Sequence, residues 1–205
     1  MLFFIFRDIL TLALTKKERS DILKQVYILL SRTGSVPSKA IQIFTRKKYT
    51  HSSISVLPYL DGFYSYGRRR LHNFLVGGFV SEDINNGVFA KYSEGECELF
   101  SLDVSDESYF KIKKLIEFYI ENYDKCKYNF RAIVPMCIGI KQKLKFKMTC
   151  SQFVATLLEL SGACALPRHP SLMQPVDFLK IKGIHSIYKG KIKDCHFPDT
   201  LISIQ

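Results

Sequence analysis

One segment constrains the fold more than any other. Thr149 to Gly162 reads TCSQFVATLLELSG and carries its own start and stop signals. Thr149 followed three positions later by Gln152 forms the pattern of a capping box. Gly162 suits the residue just past a helix end. Between them Phe153, Val154, Leu157, Leu158 and Leu160 make an apolar face. A helix with such a face must bury it against another element.

The rest of the chain supplies candidates for that cover. Gln25 to Ser31, QVYILLS, is a β-type run with a continuous apolar centre. Tyr49 to Leu57 alternates, with His51, Ser53 and Ser55 on one side and Ser52, Ile54 and Val56 on the other. Pro58 to Gly62 reads as a turn, and Phe63 to Gly67 as a second strand that closes a hairpin. Leu99 to Val104 is a further strand candidate. Asp103 or Ser105 can cap the next element, a helix on which Phe110, Ile112, Leu115, Ile116, Tyr119 and Ile120 recur at helical spacing. Ser38 to Phe44 suits a short helix with Ile41 and Phe44 inward. Lys141, Lys143, Lys145 and Lys147 alternate with Gln142, Leu144, Phe146 and Met148, which predicts a solvated strand face. Helices and strands mixed without strict alternation indicate an α+β class, a small antiparallel sheet packed against the Cys-bearing helix.

A length of 205 residues suits one full domain. Residues 1–24 read as an N-terminal helical extension and residues 25–205 as the domain. In the extension Phe3, Phe4, Phe6, Ile9, Leu10, Leu12 and Leu14 form a broad apolar face, flanked by Lys16, Lys17 and Arg19. It packs on the domain or lies at an interface. No uncharged stretch approaches the roughly 18–20 residues needed to span a bilayer. Without a positive leading region or a small-residue cleavage site, a secreted precursor is disfavoured.

Thirty Lys plus Arg against nineteen Asp plus Glu leave a net charge of +11. That favours anionic surroundings: nucleic acid, lipid headgroups or acidic polymers. No aromatic RNA-binding motif or recognition helix supports nucleic acid. An anionic membrane surface, met by the N-terminal helix and a basic face, is the alternative partner. None of the six cysteines forms a C-x-x-C pair, so neither a zinc site nor an iron–sulfur cluster, and no cofactor, is expected. Reduced thiols in a cytosol-like compartment follow.

Cys150 falls in the first turn of the capped helix. Unpaired amides and the helix dipole there stabilise a thiolate. A thiol nucleophile also needs an imidazole. His51 is the natural partner, because a strand can hold it rigidly against the start of a packed helix. His72 follows an arginine run, His169 lies among prolines, and His185 and His196 lie in the C-terminal tail. Taken singly, Cys150 also fits a small core residue and His51 a hydrogen-bonded structural one.

Five runs together carry a resemblance: YTHSSISV, FYSYGRR, GGFVSED, YNFRAIVP and TCSQFVATLLELSG, with PVDF at Pro175 to Phe178 after them. In these the chain resembles circularly permuted members of the NlpC-type, papain-like thiol hydrolases, the YiiX-like and lecithin retinol acyltransferase-like branches. The resemblance spans Gln25 to Asp177. Unpermuted enzymes place the Cys helix before the His strand; here His51 precedes Cys150 by about a hundred residues, the permuted order. The resemblance implies a papain-like permuted topology, Cys150 as nucleophile and His51 as general base. It also implies a third polar residue orienting the imidazole, often from the strand after the His strand. That strand carries Tyr64, Ser65 and Tyr66 and no acid or amide. Ser65 is a candidate by strand position. Glu82 in GGFVSED is the other, and a carboxylate stabilises imidazolium better than a hydroxyl does.

The expected chemistry is acyl transfer from an amide or ester through a thioacyl-enzyme, on a peptide or acyl-lipid substrate. The Cys150 amide would hold the oxyanion with a second donor, for which Tyr64 and Arg68 are the candidates from sequence. A non-enzymatic alternative stays open: a module of the same fold that holds a lipid or protein, with Arg68, Arg69 and Arg70 beside its cleft.

Overall fold

A strand that is apolar at successive positions needs cover on both faces. The first strand has it: Val26, Ile28 and Leu30 point into one buried cluster, while Tyr27 and Leu29 point into another on the opposite side. The structure is a computed structural model and describes residues 24–198, apart from 36–37, 40–41, 44–45, 71–72 and 143–144. The expected N-terminal helix lies outside the described residues. In chain order the strands are β1 (Lys24–Arg32), β2 (His51–Ser55), β3 (Phe63–Arg70), β4 (Asn73–Glu82), β5 (Glu96–Val104), β6 (Lys127–Tyr128), β7 (Lys147–Met148) and β8 (Ile184–Lys191). The α-helices are α1 (Gly87–Lys91), α2 (Asp106–Glu121), α3 (Ile133–Cys137) and α4 (Cys150–Ser161).

Six strands form one antiparallel sheet in the order β4-β3-β2-β1-β5-β8. The protein is therefore α+β, with a small antiparallel sheet. Its larger core lies between one face of that sheet and the helices α2 and α4. The smaller core, on the other face, gathers Phe63, Ile84, Phe89, Leu99 and Phe197. No helix among the described residues is long and apolar enough to cross a membrane.

The helix α4 forms where its caps indicate. The Thr149 hydroxyl accepts a hydrogen bond from the Gln152 N–H at 3.2 Å, and Gly162 closes the helix at φ 71°. The reciprocal half of the capping box is missing, since the buried Gln152 Oε1 has no partner. Phe153, Val154, Leu157 and Leu158 are buried, but Leu160 is exposed and does not belong to the face. The helix packs across β2, β3 and α2, so its first turn lies over the start of β2. For α2, Ser105 rather than Asp103 is the cap, accepting from the Ser108 N–H at 3.2 Å. Ile112, Ile116 and Tyr119 turn inward, whereas Phe110 and Ile120 are exposed.

Three expectations need correction or completion. The alternating lysine run is not a strand along its length: Lys141 and Gln142 have no regular structure, Lys145 and Phe146 turn, and only Lys147–Met148 pairs, in parallel with β6. Period-two alternation cannot make a strand without a partner edge, and β6 offers only two residues. The strands β4 and β8 were not expected. In β4 the Gly77–Gly78 pair looks like a break but is a close approach. A Cβ at Gly77 would lie 2.8 Å from the Tyr128 Cβ, and one at Gly78 would meet the Cys126 carbonyl. The two glycines let β6 cross directly against β4. The expected helix at 38–44 is helical at 38–39 and 42–43, with Ile41 and Phe44 outside the described residues.

Candidate functional site

His51 opens β2 and Glu82 closes β4, and β3 runs between these two strands. The two side chains meet across β3 at Gly67. A Cβ there would stand 3.2 Å from Glu82 Oε1 and 3.6 Å from His51 Cε1. The absent side chain is what makes room for the pair. His51 Nε2 lies 2.9 Å from Oε1 and 3.0 Å from Oε2 of Glu82. The Ser53 hydroxyl, two residues along the same face of β2, donates to Glu82 Oε2. The His51 side chain is 20% exposed and that of Glu82 16%.

Cys150, the first residue of α4, is 3% exposed. Its thiol lies beside the His51 ring, the backbone of Ser52 and the Tyr128 hydroxyl, and all three favour its charged form. With Nε2 committed to Glu82, Nδ1 is the ring nitrogen left for the sulfur. Burial works against a charged imidazole at His51. The Glu82 carboxylate and the hydrogen-bonded thiol outweigh it and push the ring up to about 10. Burial likewise pushes the Cys150 thiol up. The His51 hydrogen bond and charge, with the Ser52 backbone and Tyr128, outweigh that and hold it below the ordinary thiol value. Both shifts favour one state, thiolate beside imidazolium.

Tyr128 comes from β6, the segment the β4 glycines admit. Its hydroxyl faces both the Cys150 thiol and the Cys150 backbone N–H, and burial holds its own pKa well above the ordinary tyrosine value. In the sequence Tyr128 opens the YNFRAIVP run, but neither periodicity nor capping gives it a role at the thiol. It stands between two cavities. One, of about 90 Å³, is lined by His51, Glu82, Arg68, Phe89, Tyr128 and Phe130 among others. The other, of about 20 Å³, is lined by Cys150, Tyr128, Ile133, Met136, Gln174 and Pro175 among others. A space of that size holds about one water molecule.

The remaining expected residues divide. Arg68 lines the larger cavity, bonded to the Ser35 hydroxyl at 3.0 Å. Ser65 is not behind the ring: its hydroxyl is fully buried and donates to the Ser52 carbonyl at 2.7 Å. On β3 it is Gly67, two residues on, that lies at the His51–Glu82 pair. Tyr64 lines neither cavity and stacks on Phe79, ring centroids 5.9 Å apart. Cys97, Cys126, Cys164 and Cys195 are free thiols apart from this site. Among the described residues no three His, Cys, Asp or Glu side chains gather as a metal site. No family model matches the chain, and no curated protein matches it.

Proposed function

We propose that the chain is a thiol hydrolase of permuted papain-like topology that cleaves an amide or ester through a thioacyl-enzyme. The observation that carries this is the hydrogen-bonded Glu82–His51 pair set beside Cys150 at the first turn of α4, with ring and thiol each favouring the other's charged form. The Cys150 thiolate attacks the carbonyl carbon, and the oxygen takes the negative charge. That oxygen is directed toward the Cys150 N–H, and the neighbouring Tyr128 hydroxyl is the second donor. His51 gives its proton to the leaving group as the carbon–heteroatom bond breaks. It then takes a proton from water, whose oxygen attacks the thioester and frees the thiolate. Glu82 keeps the ring oriented as its hydrogen-bond acceptor, with Ser53 donating to the carboxylate.

Acetylation by p-nitrophenyl acetate tests this. The expected result is an acetyl adduct mapped to Cys150, with more than one equivalent of p-nitrophenol released on longer incubation. An adduct only at other residues, or none, overturns it. One observation favours a second reading, a ligand-holding module without turnover: Cys150 is almost wholly covered and its cavity holds about one water. That module would form no adduct at Cys150 or stop at one equivalent. Tyr128→Phe provides a further prediction. Loss of one oxyanion donor lowers kcat by about 10²–10³. The steady-state comparison should show that fall with KM nearly unchanged. An unchanged kcat would remove Tyr128 from the mechanism.

A further inference from the structure

Inside, the segment from Asn129 to Gln142 helps wall both cavities: Phe130 lines the larger, Ile133 and Met136 the smaller. Outside, it presents Phe130, Val134, Ile138 and Ile140, which are 40%, 53%, 66% and 53% exposed. Single exposed apolar side chains are ordinary, but four within eleven positions make a patch that calls for a partner. The Ile138 N–H bonds to the Val134 carbonyl at 3.2 Å, so these two sit one turn apart on the same face. The Ile140 N–H bonds to the Pro135 carbonyl at 2.9 Å and folds the chain back beside them. The lobe is held at its base. The Asn129 side chain donates to Gln142 Oε1 at 3.1 Å, and the Gln142 N–H donates to the Ser171 hydroxyl at 3.1 Å.

The chain on either side carries one sign of charge. From Lys125 to Met148 the chain has seven basic residues and no acidic one. Arg131, Lys141, Lys145 and Lys147 are all exposed. Aliphatic tips flanked along the chain by exposed basic residues suit a bilayer interface with anionic headgroups, where apolar side chains enter the acyl boundary and ammonium groups meet phosphate and carboxylate. Nucleic acid would account for the lysines but not for Val134, Ile138 and Ile140, because it rewards stacking rings and hydrogen-bond donors.

We propose that the lobe 129–142, with its flanking lysines, is a docking surface for an anionic lipid bilayer. It brings the rims of both cavities to the lipid. The docking does not depend on the thiol chemistry and is measured without turnover.

The test is flotation of the full chain with phosphatidylcholine–phosphatidylserine vesicles, with pure phosphatidylcholine vesicles as control. The chain should float with the mixed vesicles and far less with the neutral ones, and added salt should weaken the association. Ile138→Ser with Ile140→Ser, and separately Lys141→Glu with Lys145→Glu, should each reduce the bound fraction at least tenfold. All four side chains are exposed, and an unchanged alkylation rate at Cys150 shows that each variant is folded. No flotation of the unaltered chain overturns the proposal. So does flotation that neither variant weakens, which would place membrane contact elsewhere, residues 1–23 included. Loss in the charge variant alone would mark a general polyanion site and also overturns it. None of these outcomes bears on acetylation of Cys150, which fails or succeeds separately.

Discussion

Cys150→Ala is expected to lower hydrolysis of an activated acyl ester by about 10⁴-fold or more, the scale seen when a covalent nucleophile is removed from a preorganised site. Cys150→Ser should fall nearly as far. A hydroxyl is far less acidic than a thiol, and His51 with Glu82 is arranged to hold a proton, not to pull one from an alcohol. Both variants should fold, since each removes or exchanges a single atom beside a small cavity; truncation costs there are about 1 kcal/mol. Chemical denaturation of the variants separates lost chemistry from lost structure. Retained hydrolysis in folded Cys150→Ala would remove this residue from the reaction.

Glu82→Gln is expected to have the second largest effect, a fall in kcat of up to about 10⁴, the scale of replacing the carboxylate of a catalytic triad by an amide. The amide has the carboxylate's size but carries no charge and presents N–H groups to a ring that needs an acceptor. Burial then acts on His51 without the Glu82 charge, the largest of the influences that raise it to about 10, and only the Cys150 thiol is left to favour the charged ring. The variant also changes how stability depends on pH. A raised folded pKa at His51 adds stability that is fully present below its ordinary value of about 6.5 and is lost as pH rises through about 10. The depressed thiol has the opposite sign. Its contribution is present above the ordinary thiol value and is lost as pH falls through the lower folded one. Glu82→Gln removes the first directly and weakens the second only through His51. The difference in Tm between the unaltered chain and the variant should be greatest at about pH 6 and shrink toward pH 10. A difference that stays constant across that range would mean Glu82 acts through packing rather than through the charge on His51.

The parts of this site differ in how plainly the residues announce them. Cys150 is marked by local chemistry: a cap at Thr149, an apolar face behind it and Gly162 at the end all lie within fourteen positions. His51 is marked by the alternation of β2. Glu82 needed more, because its place depends on β4 pairing with β3, and the Gly77–Gly78 pair there looks like a chain break. Its real use is to admit β6, and that contact lies about fifty residues along the chain. Ser65 has the strand position that suggests an orienting residue, but its hydroxyl turns to the Ser52 carbonyl, and it is Gly67, two residues on, that meets the His51–Glu82 pair. Tyr128 has no periodic or capping signature; it matters because a two-residue strand sets it against the Cys150 amide. The lysine run from Lys141 to Lys147 shows the converse. Its alternation is regular, yet the available edge is only Lys127–Tyr128, and the pattern yields little strand. In β8, edge position explains the weak signal: among the described residues it pairs only with β5, and it is mostly polar along its length.

The most direct measurement is the rate of iodoacetamide alkylation at each cysteine against pH, read by peptide mapping. A thiolate held by His51 should make Cys150 react ahead of Cys97, Cys126, Cys164 and Cys195. Its rate should rise at a midpoint well below about 8.5, the value of a free thiol. A Cys150 rate that climbs only above that value, or that trails the other cysteines, would contradict the thiolate–imidazolium pair.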